Sequence, residues 1–391
     1  MGKRIGLEVS LAVSEAVKMA RVDAVAAYPI TPQTHIVEEL SQMVADGDLD
    51  ADFIMVESEH SAMSACCGTS AVGARTFTAT AAQGLALMHE ILFIASGLRL
   101  PIVMAIANRA LSAPISIWGD HSDVMAERDT GWIQFFAETG QEAFDLTIQA
   151  FKIAEDKRVL TPAAVNLDGF TLSHVIEPFD MPDQEEVDAF LPTFEPQVIL
   201  DPDNPVTMGP VGFPEIYTEI KKQQNEALLG AHEVILEVWE EFEKAFGRAY
   251  RPVESYRTDG AEVLISIAGS TAGTARVAVD NMREAGKKVG LIRTRLWRPY
   301  PFEETRAAVK GAKAVAVIDR CLSFGGPGGP ICSELRSALY PLPEKPVVNS
   351  YIAGLGGRDI TLQDFYTVVE DTYRVLEEGP TDEYKMIGVR E

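Results

Sequence analysis

The sequence predicts an α/β protein with two parallel β-sheets, and three observations carry that prediction. Strand-like and helix-like patterns alternate through the first third of the chain, which is the order that builds βα units. The alternation stops at a long segment rich in proline and acidic residues, and then resumes in the last third. The strand candidates are short continuous apolar runs, as expected for strands covered by helices on both faces.

The first part of the chain supplies most of the alternating elements. Short apolar runs rich in β-branched residues predict strands at residues 24–28, 53–56, 76–80, 101–107 and 163–170. Apolar residues at helical spacing predict helices at residues 7–20, 34–44, 60–74, 85–96 and 142–156. Together these elements predict one parallel sheet with helices on both faces.

From residue 177 the pattern changes. The segment EPFDMPDQEEVDAFLPTFEPQVILDPDNPVTMGPVGFP has no clear period and is too long for an ordinary turn. We interpret residues 175–215 or so as an extended arm that crosses another surface; a flexible linker is the alternative. Residues 215–246 predict one or two charged helices.

A second, smaller α/β domain is predicted after this region. EVLISIAGS precedes a helix that starts near residue 271, KVGLIRTRLWRPYPFEE predicts a strand, a turn and a helix, and AVAVIDR predicts another strand. GLGGRDIT is a glycine-rich turn before a final helix. We therefore divide the chain into residues 1–256, including the arm and the linking helices, and residues 257–391.

Composition excludes several classes of function. The formal charge of −24 argues against binding to nucleic acid or to an anionic membrane, which need cationic patches. Glu8 and Glu15 interrupt the apolar pattern at the N-terminus, so no signal peptide is expected. No uninterrupted apolar run reaches the ~18 residues of a membrane span, and a cytoplasmic protein is predicted. The four cysteines form no CxxC pair, so no iron–sulfur cluster or zinc ribbon is expected on this chain alone.

Polar residues follow the predicted strands of the first domain one after another. They are Thr31 after the first strand, Glu57 and Glu59 after the second, Gln83 after the third, and Asn108 with Arg109 after the fourth. Ligands bind beyond the carboxyl ends of strands in open parallel sheets, so this convergence predicts a site. The glycine-rich segments do not predict a nucleotide site. FGGPGG does not match GxGxxG, and the sequence has no GxxxxGK[ST] motif.

Each of these residues also has a purely structural interpretation. Thr31 followed by Pro32 is a good start for a helix, and capping alone has even odds against ligand binding. Glu59 fits the first turn of a helix, where an acid favours the dipole. Arg109 fits a surface ion pair. His60 and His89 fit local hydrogen bonds better than catalysis, whereas His121 fits either role.

Four segments carry a resemblance that the single residues do not. AAYPITPQT, VESEHSAMSA, RTFTATAAQGLALMHE and LPIVMAIANRALSAP resemble the pyruvate:ferredoxin oxidoreductase family, a branch of the 2-oxoacid:ferredoxin oxidoreductases. The likeness continues through WGDHSDVMAERDTGWIQF, SIAGSTAGT, RPYPFEE and GLGGRDIT, and so covers nearly the whole chain. It implies a thiamine diphosphate enzyme divided over several chains.

The resemblance implies a fold and a set of partners. The first domain is similar to the pyrimidine-binding domain of that family, and the last to the transketolase C-terminal domain. The GDG motif that holds Mg²⁺ with the diphosphate is missing here, so a beta subunit is expected to supply it. The [4Fe-4S] clusters are expected on partner subunits of the beta and delta type. A gamma-type subunit completes the expected complex, and ferredoxin is expected to dock elsewhere than on this acidic chain.

The resemblance also assigns roles to residues. Glu59 matches the carboxyl group that hydrogen-bonds the thiamine ring nitrogen N1′, with Glu57 as the nearby competitor. Thr31 and Arg109 are the expected ligands of the substrate carboxylate, because a helix start and a guanidinium both favour an anion. Cofactor contacts are also expected from four further residues: Tyr28, Pro29, Gln83 and Asn108. No metal ligand is expected on this chain.

The expected function is that of an alpha-type subunit. The reaction implied is the oxidative decarboxylation of pyruvate with coenzyme A to acetyl-CoA and CO₂, which reduces ferredoxin. A branched-chain 2-oxoacid such as 2-oxoisovalerate, or 2-oxoglutarate, is the alternative substrate. 2-Oxoglutarate is disfavoured because no second cation for a distal carboxylate is evident near Thr31, Arg109 and Ser112. A non-catalytic scaffold is the remaining hypothesis.

Overall fold

The computed structural model of the protein describes residues 3–379 and 382–390. Within them the strands are β1 Lys3–Glu8, β2 Ala24–Ala27, β3 Asp52–Met55, β4 Thr76–Thr80, β5 Val103–Asn108, β6 Ile133–Phe136, β7 Ala163–Asp168, β8 Ile176–Met181, β9 Val253–Tyr256, β10 Val263–Ala268, β11 Val289–Thr294, β12 Leu296–Arg298, β13 Ala314–Asp319, β14 Val347–Ile352 and β15 Lys385–Met386. The helices are α1 Val9–Met19, α2 Thr34–Asp46, α3 Glu59–Ala71, α4 Ala82–Gly97, α5 Ser122–Ala126, α6 Gly140–Glu155, α7 Gln184–Phe190, α8 Pro214–Phe246, α9 Ala272–Glu284, α10 Phe302–Ala308, α11 Pro330–Leu339 and α12 Leu362–Glu378.

The predicted α/β class with parallel sheets is confirmed. The larger sheet has the order β12-β6-β7-β5-β4-β2-β3, and all its pairs are parallel except β12 with β6. The second sheet has the order β15-β14-β13-β10-β11-β9, and only β9 pairs antiparallel. Every residue of β5, β7, β10 and β13 is buried, because helices cover both faces of the sheets.

The start of the chain differs from the prediction. The helical pattern from residue 7 begins as β1, and α1 starts only at Val9. β1 pairs antiparallel with β8, with Glu8 opposite Ile176. A six-residue strand can form there because β8 offers it a hydrogen-bonding edge from the other end of the first domain, which no local pattern reveals.

The predicted arm holds more regular structure than expected at its beginning. β8 and α7 lie in it, and a capping box joins Asp183 and Glu186 at the start of α7. Residues 191–213 contain no helix or strand, and α8 then runs for 33 residues as a single helix.

The two sheets share apolar packing. One core cluster contains Ala164 of β7 together with Leu264 of β10 and Val315 of β13. β12, which follows directly after β11, pairs with β6 of the larger sheet, and β9 pairs with β11 of the second. The division at residues 256 and 257 stays a prediction.

Within the described residues, no helix is both long and apolar enough to cross a membrane. The cytoplasmic location stays a prediction.

Candidate active site

The chain reverses direction across the larger sheet between β2 and β4. From β2 it proceeds to β3 on one side, whereas β4 is followed by β5 on the other side. Such a switch point opens a crevice at the carboxyl ends of the strands, where ligands bind in open α/β sheets. Every site residue predicted from the sequence follows β2, β3, β4 or β5, so all belong to this edge.

Gln33 bridges the two strands at the switch point. Its Nε2 donates to the carbonyl of Tyr28 across 2.9 Å and to the carbonyl of Ala79 in β4 across 3.0 Å. The side chain is fully buried, and its Oε1 has no hydrogen-bond partner in the described part of the chain. Sequence reasoning missed Gln33; the signal was a polar residue directly after the Thr31–Pro32 turn.

Thr31 lies in a turn and does not cap the helix. α2 begins at Thr34, and the preceding Gln33 occupies the capping position without a side-chain hydrogen bond. The backbone N–H of Gln33 donates to the carbonyl of Ile30 across 2.9 Å, which closes a turn over residues 30–33. The interpretation of Thr31 as a helix cap is therefore wrong. Its side chain is exposed at the edge of the sheet, where it can meet a ligand.

Arg109 is attached to the same turn. Its Nη1 donates to the carbonyl of Thr31 across 2.8 Å, and its Nε donates to the carbonyl of Ser116 across 2.9 Å. The residue is buried, and burial lowers the pKa of its guanidinium while Asp123 opposes the shift. No hydrogen bond joins its Nη2 to the described residues, so one edge of the guanidinium can bind an anion.

Asp123 holds the ends of β4 and β5 together. Its Oδ2 accepts from the backbone N–H of Arg109 at 2.8 Å and of Ala82 at 3.0 Å. Its Oδ1 accepts from Asn108 Nδ2 at 3.0 Å and from the N–H of Val124 at 2.7 Å. Burial raises the pKa of Asp123 to about 6, although these donors oppose the shift. The sequence did not single out Asp123, because it lies in the short helix α5, 14 residues after Arg109 in the chain.

Asn108 is enclosed rather than open to the edge. Its Nδ2 also donates to Asn166 Oδ1 across 3.1 Å, and its Oδ1 has no partner among the described residues. Tyr28 and Pro29, by contrast, are exposed. The predicted cofactor contacts of these three residues and of Gln83 stay predictions.

Glu59 is the buried carboxylate of the site. It begins α3, and Ser58 caps that helix by accepting from the N–H of Ser61. Glu59 is 8% exposed, and no hydrogen bond or ion pair joins its carboxylate to the part of the chain that the structure describes. A carboxylate that has no protein partner beside a crevice is available to a ligand. Glu57, its competitor, is exposed and accepts from Ser61 Oγ at 2.6 Å.

The wall beside Glu59 comes from the start of α4. A Cβ at Gly84 would lie 2.7 Å from Glu59 Oε1 and 2.6 Å from Thr80 Oγ1, so only glycine lets the two elements approach this closely. Thr80 Oγ1 and Gln83 Oε1 are buried and have no partner in the described part of the chain. Thr80 and Glu59 therefore both lie against Gly84 without a hydrogen bond between them.

A third buried carboxylate, that of Asp168, joins the two sheets. Asp168, at the end of β7, lies 2.8 Å from His121 Nε2 and accepts from Arg320 Nη1 at 2.7 Å and from the N–H of Ser270 at 2.7 Å. Burial alone would raise the pKa of Asp168, but Arg320 and His121 outweigh it and hold the pKa far below its usual range. His121, for which either role was open, therefore has a structural partner.

The other two histidines of interest have local partners. His89 Nδ1 lies 2.5 Å from Glu127 Oε2, and His60 Nε2 lies 3.7 Å from Glu90 Oε2. Both contacts agree with the local roles predicted for these residues.

Large exposed apolar side chains follow two of the strand ends at this edge. Met55 ends β3, and three more follow Arg109 in the loop before α5; all four are exposed: Met55, Ile115, Ile117 and Trp118. We refer to these four residues as the exposed apolar rim.

Two family models match the chain. Residues 15–240 match "pyruvate flavodoxin/ferredoxin oxidoreductase, thiamine diP-bdg", and residues 261–365 match "pyruvate:ferredoxin oxidoreductase core domain II". The first contains every predicted site residue.

Relatives match over nearly the full length. Pyruvate synthase subunit PorA of Methanocaldococcus jannaschii is 51% identical, covering 97% of this chain and 96% of the relative. PorA of Thermotoga maritima is 47% identical over 100% of this chain and 99% of its own. Ketoisovalerate oxidoreductase subunit VorA of Pyrococcus abyssi is 46% identical, covering 95% and 94%.

Solved structures at lower identity share the fold. The 2-oxoglutarate:ferredoxin oxidoreductase of Magnetococcus marinus matches 95% of this chain and 65% of its own chain, with a TM-score of 0.71 and 21% identity. The match to a split-gene transketolase covers 95% of this chain and 99% of that chain, with a TM-score of 0.55 and 14% identity. The long family match and the relatives near 50% identity carry the assignment: the chain belongs to the pyruvate:ferredoxin oxidoreductase family.

Proposed function

We propose that this chain is the alpha subunit of a pyruvate synthase. The complex would convert pyruvate, coenzyme A and oxidised ferredoxin to acetyl-CoA, CO₂ and reduced ferredoxin. Among relatives, PorA subunits match at up to 51% identity over nearly the whole chain, which favours pyruvate. For the chemistry, the carrying observation is the buried, unpaired Glu59 carboxylate at the switch point of the sheet.

The residues around Glu59 fit thiamine diphosphate. The aminopyrimidine of the cofactor needs a carboxyl group at N1′ in a site with little water, and Glu59 beside Gly84 offers one. When bound, thiamine diphosphate supplies a nucleophilic carbon and accepts the electron pair that CO₂ leaves behind. Glu59 would hold a proton between its carboxylate and N1′. Thr80 Oγ1 and Gln83 Oε1 are buried polar atoms available to the same ring.

Arg109 and Thr31 fit a 2-oxoacid carboxylate. The Arg109 guanidinium is held by two backbone carbonyls and keeps Nη2 available. Because its position is set before the substrate arrives, little side-chain entropy is lost on binding. The Thr31 hydroxyl, exposed at the same turn, would donate to the second carboxylate oxygen.

Partner subunits complete the site in this proposal. The chain has no GDG motif, so Mg²⁺ and the diphosphate would be held by a beta-type subunit that covers the exposed apolar rim of Met55, Ile115, Ile117 and Trp118. The four cysteines are free, and none is more than partly exposed, so the [4Fe-4S] clusters are assigned to partner subunits of the beta and delta type. A gamma-type subunit and ferredoxin docking on another chain complete the complex.

A branched-chain 2-oxoacid is the second candidate substrate. VorA of Pyrococcus abyssi is 46% identical to this chain, which lies within the range of 45% to 51% found for PorA relatives, so 2-oxoisovalerate is retained as the alternative. A 2-oxoglutarate activity is less favoured, because the structural likeness to that enzyme has only 21% identity.

The test is a substrate panel on the native complex. The complex is purified with its co-purifying chains, and CoA-dependent viologen reduction is measured with pyruvate, 2-oxoisovalerate and 2-oxoglutarate. The proposal predicts the highest kcat/KM with pyruvate and no reduction without CoA. A higher kcat/KM with either other acid would overturn the substrate assignment, and no turnover with any 2-oxoacid would overturn the function.

A further inference from the structure

Three metal-binding side chains meet beside the first turn of α2, and none of them is among the predicted site residues. Glu8 ends β1, His35 lies in the first turn of α2, and His174 precedes β8. One ligand atom from each lies within 4.8 Å of the other two. Residues from three separate elements therefore present two imidazoles and one carboxylate to a common point, and the mechanism proposed above uses none of them.

The donor set suits a zinc-type cation. Two histidine nitrogens and one carboxylate oxygen with a position left for water match the ligands that Zn²⁺ takes in proteins. His35 Nδ1 lies 2.6 Å from Glu8 Oε1, which is a hydrogen bond that shares one proton. Ligands at about 2.0–2.2 Å from a metal stand farther apart than that, so the cation would replace this proton and separate the two atoms.

His174 is oriented by a neighbouring hydroxyl. Its Nδ1 lies 2.7 Å from Ser173 Oγ, which accepts from the backbone N–H of Phe170 at 2.9 Å. A hydrogen bond at one ring nitrogen orients the imidazole and leaves the other for a metal.

A second group of possible metal ligands lies elsewhere in the described part of the chain, and it differs from this cluster in its charge balance. Glu138, Glu142 and Glu254 also lie within ligand distance of one another. Arg293 contacts all three, so their charges are already compensated. No arginine among the described residues contacts the Glu8–His35–His174 cluster. The His35 side chain is 42% exposed, which leaves a path for a cation and its water.

We propose that Glu8, His35 and His174 bind one zinc-type divalent cation. The bound cation would tie the end of β1 and the loop before β8 to the first turn of α2. Because α2 follows the turn that carries Thr31, the cation would brace this side of the sheet from outside the site. The inference does not depend on the proposed reaction.

Metal titration of the full-length, tag-free chain tests the proposal. After treatment with EDTA, Zn²⁺ is added in a calorimeter and Co²⁺ in a spectrophotometer. We expect one equivalent of Zn²⁺ per chain, the visible absorption of low-coordinate Co²⁺, and a higher Tm with Zn²⁺, because a ligand of the native state stabilises it.

Variants identify the ligands. His174→Gln and Glu8→Gln are expected to weaken Zn²⁺ binding by at least about 100-fold, the upper end for changes around metal ligands, and to remove the Tm gain. His232→Gln is the matched control, since His232 Nε2 lies 2.7 Å from Glu304 Oε1 but has no third metal-binding side chain among the described residues. Circular dichroism is used to check that each variant is folded.

Three results would overturn the assignment. The first is that the wild-type chain binds no Zn²⁺, or takes up ions without a defined stoichiometry. The second is that a folded His174→Gln variant binds Zn²⁺ as tightly as the wild type does. The third is that His232→Gln loses as much affinity for Zn²⁺ as His174→Gln does. If a ligand variant fails to fold, His35→Asn with the same readouts decides the question.

Discussion

Arg109 donates a hydrogen bond from Nη1 to the backbone carbonyl of Thr31 across 2.8 Å. The bond joins the ends of β5 and β2, which are separated by β4 in the sheet. The two residues expected to bind the substrate carboxylate are therefore in contact, and the guanidinium is oriented by the turn on which Thr31 lies. Its geometry depends on a fork of donors that lysine does not have.

Arg109→Lys is expected to raise the KM for pyruvate by about 10- to 100-fold, because a lysine cannot contact the Thr31 and Ser116 carbonyls and a carboxylate together. kcat should change much less. Steady-state kinetics of the assembled complex measure both. Arg99→Lys is the matched control, because Arg99 also donates to two backbone carbonyls, those of Val159 and Leu160, away from the site. An unchanged KM in Arg109→Lys would contradict the substrate role.

Asp123→Asn is expected to disturb both strand ends at once. One oxygen of the carboxylate becomes an NH₂ group, so either the pair Ala82 and Arg109 or the pair Asn108 and Val124 loses its acceptor. Each unsatisfied donor costs about 1–3 kcal/mol. The Tm should fall and the KM for pyruvate should rise, because the Arg109 backbone is no longer held.

Asp145→Asn separates positioning from stability. Asp145 is a fully buried carboxylate on α6, and it accepts from Arg248 and Tyr250 outside the site. Its replacement should lower the Tm comparably and leave the KM for pyruvate unchanged. If Asp123→Asn lowers the Tm without affecting the KM, Asp123 has only a structural role.

Gly84→Ala is expected to displace Glu59. The added methyl group would lie 2.7 Å from Glu59 Oε1, well inside van der Waals contact. Overpacking of this kind costs about 1–3 kcal/mol, and kcat should fall with it. Gly68→Ala in α3 is the matched control, since a methyl group there meets nothing within 4 Å and should stabilise the helix by about 0.5–1 kcal/mol. Normal kcat in Gly84→Ala would contradict the packing argument.

Asp319 is expected to make stability depend on pH. Burial raises the pKa of Asp319 from 3.8 to about 7, although the N–H groups of Ile331 and Cys332 oppose the shift. Its folded pKa lies above its unfolded value, so its contribution is fully present below pH 3.8 and is lost as the pH rises through about 7. The loss is on the order of 4 kcal/mol at most.

Asp319→Asn removes that titration. Denaturant unfolding of both chains across this pH range should show wild type losing stability relative to the variant as the pH rises. Free energies that run parallel in the two chains would show that Asp319 does not titrate as described.

Local patterns predicted the strands that build the site. Short buried runs predicted β4, β5 and β7, although Thr78, Asn108 and Asn166 in them are polar. The boundaries moved by two or three residues: the strand predicted at residues 101–107 is Val103–Asn108, and the helix predicted from residue 85 begins at Ala82. Because parallel strands place their carboxyl ends on one edge, the convergence of Thr31, Glu59 and Arg109 at that edge was also predictable.

Contacts between distant segments were not predictable in the same way. β1 pairs only with the distant strand β8. β12 follows β11 of the second sheet in the chain, but it pairs with β6 of the larger sheet. Thr31 resembled a helix cap because Pro32 follows it. The side chain of Gln33 instead binds the carbonyls of Tyr28 and Ala79, and α2 begins only at Thr34. Asp123 binds two strand ends from the short helix α5, and no local spacing in the sequence shows this.

The role proposed for Glu59, the acid that holds a proton at the thiamine ring, is tested most directly by the rate of CO₂ release. The rate is measured from carboxyl-labelled pyruvate in a single turnover of the assembled complex, for Glu59→Gln and for Glu57→Gln. We expect a loss of at least about 100-fold for Glu59→Gln, because an amide cannot share the proton, and a rate near wild type for Glu57→Gln. Undiminished CO₂ release by Glu59→Gln, or an equal loss in Glu57→Gln, would contradict this role.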